Sequence, residues 1–262
     1  MISYSDLCLL NNDIEENIQK LILGGADCIE LIMDGDFWKD INCAITKLSD
    51  SITEYNVKFS IHPPAENTNL TSLDKLISKK TLEDHKKAIL FASLINAKYV
   101  VIHPGFLYCD SFNKEMLKKV AKNKLIELNE MAKPLNVKLA VENVGVNGTS
   151  LFTEEEFVGF LDEMDDNVGY VIDTGHAHVN GWDIKELISK TEEKLISMHL
   201  HDNYGEKDEH NPIGQGTIAW TSILEAIKNS KFNFDLVLEY KNGTKIELIK
   251  KHKEMILDTL KK

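Results

Sequence analysis

The chain has 262 residues, 43% of them hydrophobic and 27% charged, a composition expected of an ordinary soluble globular protein. No stretch approaches the ~18 consecutive apolar residues that would span a bilayer; the four cysteines form no CxxC pair, and so few in a chain this long argue against a disulfide framework. The net charge of −12 comes from 42 acidic and 30 basic residues, and every basic residue is lysine, so the bidentate guanidinium that grips phosphates and guanine edges is absent and DNA is not an expected partner. The opening residues, MISYSDLCLL, lack a basic region followed by a long apolar run and a cleavage site, so no signal peptide is expected and the default location is the cytoplasm.

In chain order, the predicted strands are SDLCLL (5–10), DCIELIM (27–33), VKFSIHP (57–63), KYVVIHPG (98–105), VKLAVENV (137–144), VGYVIDTG (168–175), KLISMHLHD (194–202) and DLVLEYK (235–241). Several are continuous Val/Ile/Leu runs, as in parallel strands buried on both faces. Helical patterns alternate with them. Residues 13–25 open on Asp13 as a cap and stop at Gly24 and Gly25. Residues 78–97 repeat apolar positions at helical spacing, and 113–136 end at Pro134. Residues 153–164 open on Thr153 and Glu156, a capping-box pair. IKELISKTEE, WTSILEAIKNS and the lysine-rich C-terminal stretch complete the series. This alternation implies parallel strands joined by right-handed crossovers, and eight units in one chain of this size give an α/β fold, a single (β/α)8 barrel over residues 1–262. The open doubly wound sheet is the alternative, but no GxGxxG or GxxxxGK[ST] loop supports it.

In such a barrel the active site gathers at the C-terminal ends of the strands. Strands three to eight end in or carry His62, His103, Glu142, Asp173, His199 and Glu239. Strand two carries Glu30 one step earlier, and strand one offers nothing obvious. His176 follows strand six, and Asp208 and His210 lie in the long connection after strand seven. Seven of the nine histidines fall at or just after strand ends; His85 and His252, on helices, are expected in solvent. So many imidazoles and carboxylates converging on one mouth would repel and desolvate without a cation. A divalent metal is the natural solution, with zinc expected first and manganese as an alternative.

Around those positions the motifs VIHPG (101–105), AVENV (140–144), VIDTGHAHVNGWD (171–183), MHLHDN (198–203), DEHNPIGQG (208–216) and LVLEY (236–240) follow one another in order. With them the chain resembles the xylose-isomerase-like barrel superfamily over nearly its whole length. That superfamily holds sugar and sugar-phosphate isomerases and epimerases together with endonuclease IV. The epimerase branch implies one metal on Glu142, Asp173, His199 and Glu239, with the two glutamates flanking the substrate and moving a proton next to a carbonyl. The endonuclease branch implies three zinc ions: one on His62, His103 and Glu142, one on Glu142, Asp173, His199 and Glu239, and one on His176, Asp208 and His210. Between one and three ions per chain are therefore expected. The chain departs from the nuclease pattern at HPGF, at HLHD and at Glu209, which stands between two ligand positions where a basic residue is usual.

The expected function is a divalent-metal-dependent isomerase or epimerase of a small sugar or sugar phosphate. The alternative is an endonuclease IV-like zinc phosphodiesterase with a trinuclear site. His178 and His201 are candidate substrate contacts or supports of the ligands, Asn143 a support, and Trp38 either a wall of a sugar pocket or a packing residue. The isomerase branch commonly forms dimers and tetramers, so a homo-oligomer is allowed.

Overall fold

In the computed structural model, residues 1–10, 12–108 and 113–261 are described. Eight parallel strands run in sequence order around a closed barrel: β1 (Ile2–Ser5), β2 (Cys28–Ile32), β3 (Lys58–His62), β4 (Tyr99–Ile102), β5 (Lys138–Glu142), β6 (Val168–Asp173), β7 (Leu195–Leu200) and β8 (Asp235–Leu238). The connections carry the helices α1 (Ile14–Leu23), α2 (Ile41–Ile52), α3 (Lys75–Leu94), α4 (Lys114–Ala132), α5 (Glu154–Gly159), α6 (Thr174–Val179), α7 (Ile184–Thr191), α8 (Trp220–Asn229) and α9 (Ile246–Lys261). This is the (β/α)8 barrel that the alternating pattern predicts. Lys262, at the end of the last predicted helix, lies outside the described residues, as does Cys109.

Strand parity sorts the side chains into two environments, because successive residues of a strand point to opposite faces. Phe59 and Ile61 on β3, Val100 and Ile102 on β4, Leu139 and Val141 on β5, and Tyr170 and Ile172 on β6 all join one large apolar core with the helices. The alternate residues face the barrel axis, where a small apolar cluster of Tyr99, Val101, Ala140 and Val171 fills part of the interior. Above and beside it the axis is polar: Ser60, His62, Glu142, Asp173, Ser197, His199 and Glu239 are all buried. Each strand is thus apolar toward the helices and increasingly polar toward its C-terminal end on the axial side.

Local signals account for the helix starts. Asp13 accepts from Glu15 N and Glu16 N, Asp40 from Cys43 N, and Asn113 from Met116 N. Thr153 and Glu156 form the complete reciprocal capping box. α2 is not among the helical patterns read from the sequence, although Ile41, Ala44, Leu48 and Ile52 bury one of its faces.

The first strand is displaced from its predicted place. It covers Ile2–Ser5, and residues Asp6–Leu9 of the predicted 5–10 run form a 3-10 turn instead. Ser5 Oγ accepts from Leu7 N and begins that turn, while Asp6 Oδ1 leaves the local backbone to accept from Ile32 N at the end of β2. Two polar side chains competing for backbone donors therefore end the strand where apolar content alone would continue it.

Candidate metal centre

The lowest and driest layer of the mouth lies on β5 to β8. Asp173 on β6 pairs in register with His199 on β7. Glu142 ends β5, and Glu239 follows β8 immediately. His199 is fully buried, and its Nδ1 has no hydrogen-bond partner. Three carboxylate oxygens face that nitrogen: Glu239 Oε2 at 3.3 Å, Glu142 Oε1 at 3.6 Å and Asp173 Oδ2 at 3.9 Å. Buried polar atoms ordinarily find partners. Four donors bound at about 2.1 Å around one tetrahedral zinc would stand roughly 3.4 Å from one another. The orphaned nitrogen among three carboxylates fits a divalent cation in both chemistry and spacing.

A second group lies beside it. His103 Nε2 bonds Glu142 Oε2 at 2.9 Å, and His62 Nε2 stands 3.7 Å from the same oxygen. The two rings meet edge to face at 4.7 Å between centroids. His62 Nδ1 is engaged by Pro63 O at 2.7 Å, which leaves Nε2 as the free ligand atom. Glu142 offers one oxygen to this group and the other to the first, so it can bridge two ions.

The third predicted group is also drawn together. His176, on α6, puts Nε2 3.1 Å from Asp208 Oδ2, and His210 Nε2 is 3.2 Å from the same oxygen. The arm carrying Asp208 and His210 is pinned at both ends. Asp202 and Asn211 exchange backbone hydrogen bonds of 2.7 and 2.9 Å, and Lys241 N donates to His210 O. His210 holds a positive φ of 47°, rare outside glycine and a sign of local strain held by its surroundings. Exposure rises outward through these groups: the side chains of His199, Glu142 and Glu239 are 0%, 2% and 5% exposed, against 22% for His103 and 27% for Asp208. The site is a dry floor with a wet rim.

The electrostatics follow from this layering. Burial would raise the Glu142 carboxyl, but the imidazoles of His199 and His103 outweigh it and hold it well below the usual carboxylate range. Glu239 and Asp208 are depressed in the same way against burial, by His199 and by His176 respectively. Desolvation alone would lower His62 and His210, yet their carboxylate neighbours, Glu142 and Asp208 first, push each up to about 9. The carboxylates are thus charged and available as donors, and a cation entering the site must displace imidazole protons.

The remaining predicted residues divide. His201 follows β7 on the same face as His199, and its Nε2 lies 2.9 and 3.0 Å from the two Asp173 oxygens. It stacks on His210 at 3.9 Å between centroids. Its ring is admitted only because residue 175 is glycine: a Cβ there would collide with the imidazole. Asn143 binds the backbone of Asp173 on both sides, with Oδ1 accepting from its N at 2.7 Å and Nδ2 donating to its O at 3.0 Å. His178 bonds Thr217 Oγ1 at 2.9 Å instead of any of the gathered ligands. Trp38 is buried edge-on against Phe91, with Nε1 unpartnered, and borders a cavity of about 610 Å³ beside Asp34 and Pro64. Trp220 Nε1 donates to Asp202 Oδ2 at 2.8 Å and so braces the base of the arm.

Three groups escape the sequence reading. His85 and His252, expected in solvent, are buried: His85 Nδ1 meets Thr81 O at 2.8 Å one turn back, and His252 Nδ1 meets Tyr240 OH at 2.8 Å. Their helical positions are flanked by lysines, but the ring itself falls on the face that packs on the barrel. Asp6, just past β1, is buried beside the cluster, where burial above all and the nearby Glu30 push its carboxyl up to about 7 despite the Ile32 N–H. The predicted first strand, 5–10, ran past the observed end at Ser5 and hid it.

An eight-stranded barrel with imidazoles and carboxylates crowded at its mouth is the class of protein that the fold and site define. The chain belongs to the xylose isomerase-like TIM barrel family, whose family model matches residues 22–259. An inosose isomerase of Bacillus velezensis is 28% identical over 94% of this chain and 91% of its own. A probable endonuclease 4 of Mycoplasma mobile is 30% identical, but over only 56% of this chain and 57% of its own. Among solved structures, a D-tagatose 3-epimerase-like protein superposes with a TM-score of 0.84 at 24% identity, covering 99% of this chain and 97% of that one. The IolI protein with a bound zinc atom superposes with a TM-score of 0.81 at 22% identity and the same coverage. These superpositions speak to the fold. No helix among the described residues is long and apolar enough to cross a membrane.

Proposed function

We propose that the chain is a divalent-metal-dependent isomerase or epimerase of a small sugar or sugar phosphate, with Glu142, Asp173, His199 and Glu239 holding the principal ion. The observation that carries this reading is the buried, unpartnered His199 Nδ1 with three carboxylate oxygens 3.3 to 3.9 Å away. Zinc suits the imidazole and carboxylate set best, and manganese is the second choice. A relative of full-length similarity is an inosose isomerase, and a structural neighbour carries zinc. Bound there, the ion would polarise the substrate's carbonyl and hydroxyl oxygens.

Glu142 and Glu239 approach one nitrogen from different strands, so a substrate seated over it lies between two carboxylates. One takes the proton from the carbon beside the carbonyl and the other returns a proton to that carbon or its neighbour, so no net proton is gained or lost. The carboxylate that returns the proton draws it from solvent between turnovers, so solvent hydrogen enters that carbon. Asn143 and His201 hold Asp173 in place from the backbone side and the oxygen side.

A phosphodiesterase of the endonuclease kind is the second reading. It is favoured by the His62–His103–Glu142 and His176–Asp208–His210 groups, which supply donors for two further ions. Against it stand the net charge of −12, the lack of any arginine and the acidic Glu209 between Asp208 and His210. The test is run in deuterated water with zinc- or manganese-loaded protein and a panel of free and phosphorylated ketoses and cyclitol ketones. Solvent deuterium should enter the carbon next to the carbonyl, and Glu239→Gln should abolish its entry. Cleavage of abasic DNA without any such exchange would overturn the isomerase reading in favour of the second.

A further inference from the structure

Below the donors of the principal ion lies a fourth carboxylate that neither reading uses. Glu30 sits on β2, fully buried, and its Oε1 is 2.9 Å from His199 Nε2. Its other oxygen, Oε2, accepts from Ser60 Oγ at 2.9 Å. Ser60 is the residue directly opposite Glu30 in the β2–β3 register, so the backbone itself fixes this contact. The Glu30–His199 contact falls short of hydrogen-bond alignment, and neither atom has a hydrogen-bond partner elsewhere. Both are therefore reserved for each other.

We infer that Glu30 is a positioning residue for the metal centre: held by Ser60, it takes the Nε2–H of His199 and so turns Nδ1 toward the oxygens of Glu142, Asp173 and Glu239. This inference rests on the reading of His199 as a ligand. The two nitrogens of an imidazole point away from each other, so Glu30, on the Nε2 side, cannot share the ion met by Nδ1. A neutral ligating imidazole carries its proton on the nitrogen away from the metal, and a carboxylate there selects that tautomer and raises the basicity of the ligating nitrogen. Glu30 lies one pleat deeper than the strand-end ligands, on the same axial face, which suits a support and not a substrate contact.

The test measures zinc and cobalt affinity of the whole chain by competition with a chromophoric chelator, together with the visible absorption of the cobalt-loaded protein. Glu30→Leu should weaken binding by roughly 10- to 100-fold and alter the cobalt spectrum, as loss of such a support does elsewhere. Glu30→Gln should recover part of both, because its amide oxygen can still accept the Nε2–H. Should Glu30→Leu not fold, Ser60→Ala, which only loosens Glu30, should weaken binding in the same direction by a smaller factor. Unchanged affinity and cobalt spectrum in these variants would overturn the role of Glu30 while leaving the metal site standing. Failure of the unaltered protein to bind either metal would instead overturn the proposed site, and this inference with it.

Discussion

At the scale of single residues, the mouth is built by side chains whose ionisation is set by neighbours on other strands. Asp6 shows the cost of that crowding. Its carboxyl, pushed up to about 7 by burial and by Glu30, prefers to be neutral in the folded chain. The sign follows directly: the folded value lies above the ordinary 3.8, so this group favours the folded state most at low pH and progressively less as pH rises through about 7. Asp6→Asn keeps an oxygen for Ile32 N and removes the charge. It should therefore stabilise the protein at pH 8, on the order of 2 kcal/mol, and much less at pH 5. Denaturant titrations of both proteins at the two pH values check this; an equal effect at both would show that Asp6 is charged at both in the folded protein and that its carboxyl is not raised.

The candidate site was legible at this scale wherever chemistry stood at a strand end. Each of His62, His103, Glu142, Asp173, His199 and Glu239 reads from the sequence because an apolar run stops on it. Asp6 and the deep role of Glu30 did not read, since one follows a strand whose end was misplaced and the other sits inside a run. His85 and His252 misled for a related reason: helical periodicity assigns a face only roughly, and both lie among lysines. Their burial depends on which side of α3 and α9 the barrel occupies.

At the scale of elements, α6 and the arm after β7 decide whether the outer donors can gather. α6 has only six residues, and it begins on Asp173, whose Oδ1 accepts from His176 N at 2.6 Å. The same carboxylate thus caps a helix and faces His199, so the helix start aims His176 at the mouth. Close approach of α6 to β7 requires Gly175. Gly175→Ala should drive its methyl group into the His201 ring and destabilise the fold by about 1–3 kcal/mol, the usual cost of overpacking. Zinc affinity should fall with it, because His201 would release the Asp173 oxygens. A midpoint shift in denaturant and a chelator competition measure the two effects; a stable variant with intact affinity would show that His201 is free to move aside. The sequence marked this region only as a glycine beside histidines. The contact depends on a residue 26 positions away, which no local pattern encodes.

At the scale of the whole molecule, the barrel concentrates charge at one end of its axis. Without metal, His62 and His210 stand near 9, and His176 and His199 are held well above the usual imidazole value by the surrounding carboxylates. In the unfolded chain an imidazole titrates near ~6.5. His62 and His210 therefore stabilise the chelated protein fully below that value, and their contribution is lost as pH rises through about 9. Chelated protein should melt at a lower temperature at pH 9 than at pH 6.5, while metal-loaded protein should not, since the ion replaces the protons. Zinc affinity should rise across the same window. Melting curves with and without chelator test this, and parallel pH profiles would contradict the proposed exchange of protons for metal.

By itself, the amino-acid sequence determined the number and order of the strands, the parallel crossovers and the ring of donors at the strand ends. Those are consequences of local composition and of a topology with few alternatives. The tertiary structure decided which oxygens face which nitrogens: that Glu142 can serve two groups, that His201 and Asn143 hold Asp173, and that Glu30 stands behind His199. Barrel closure decides these, because it brings β2 across the axis from β7 and fixes each side chain by the register of strands distant in the chain.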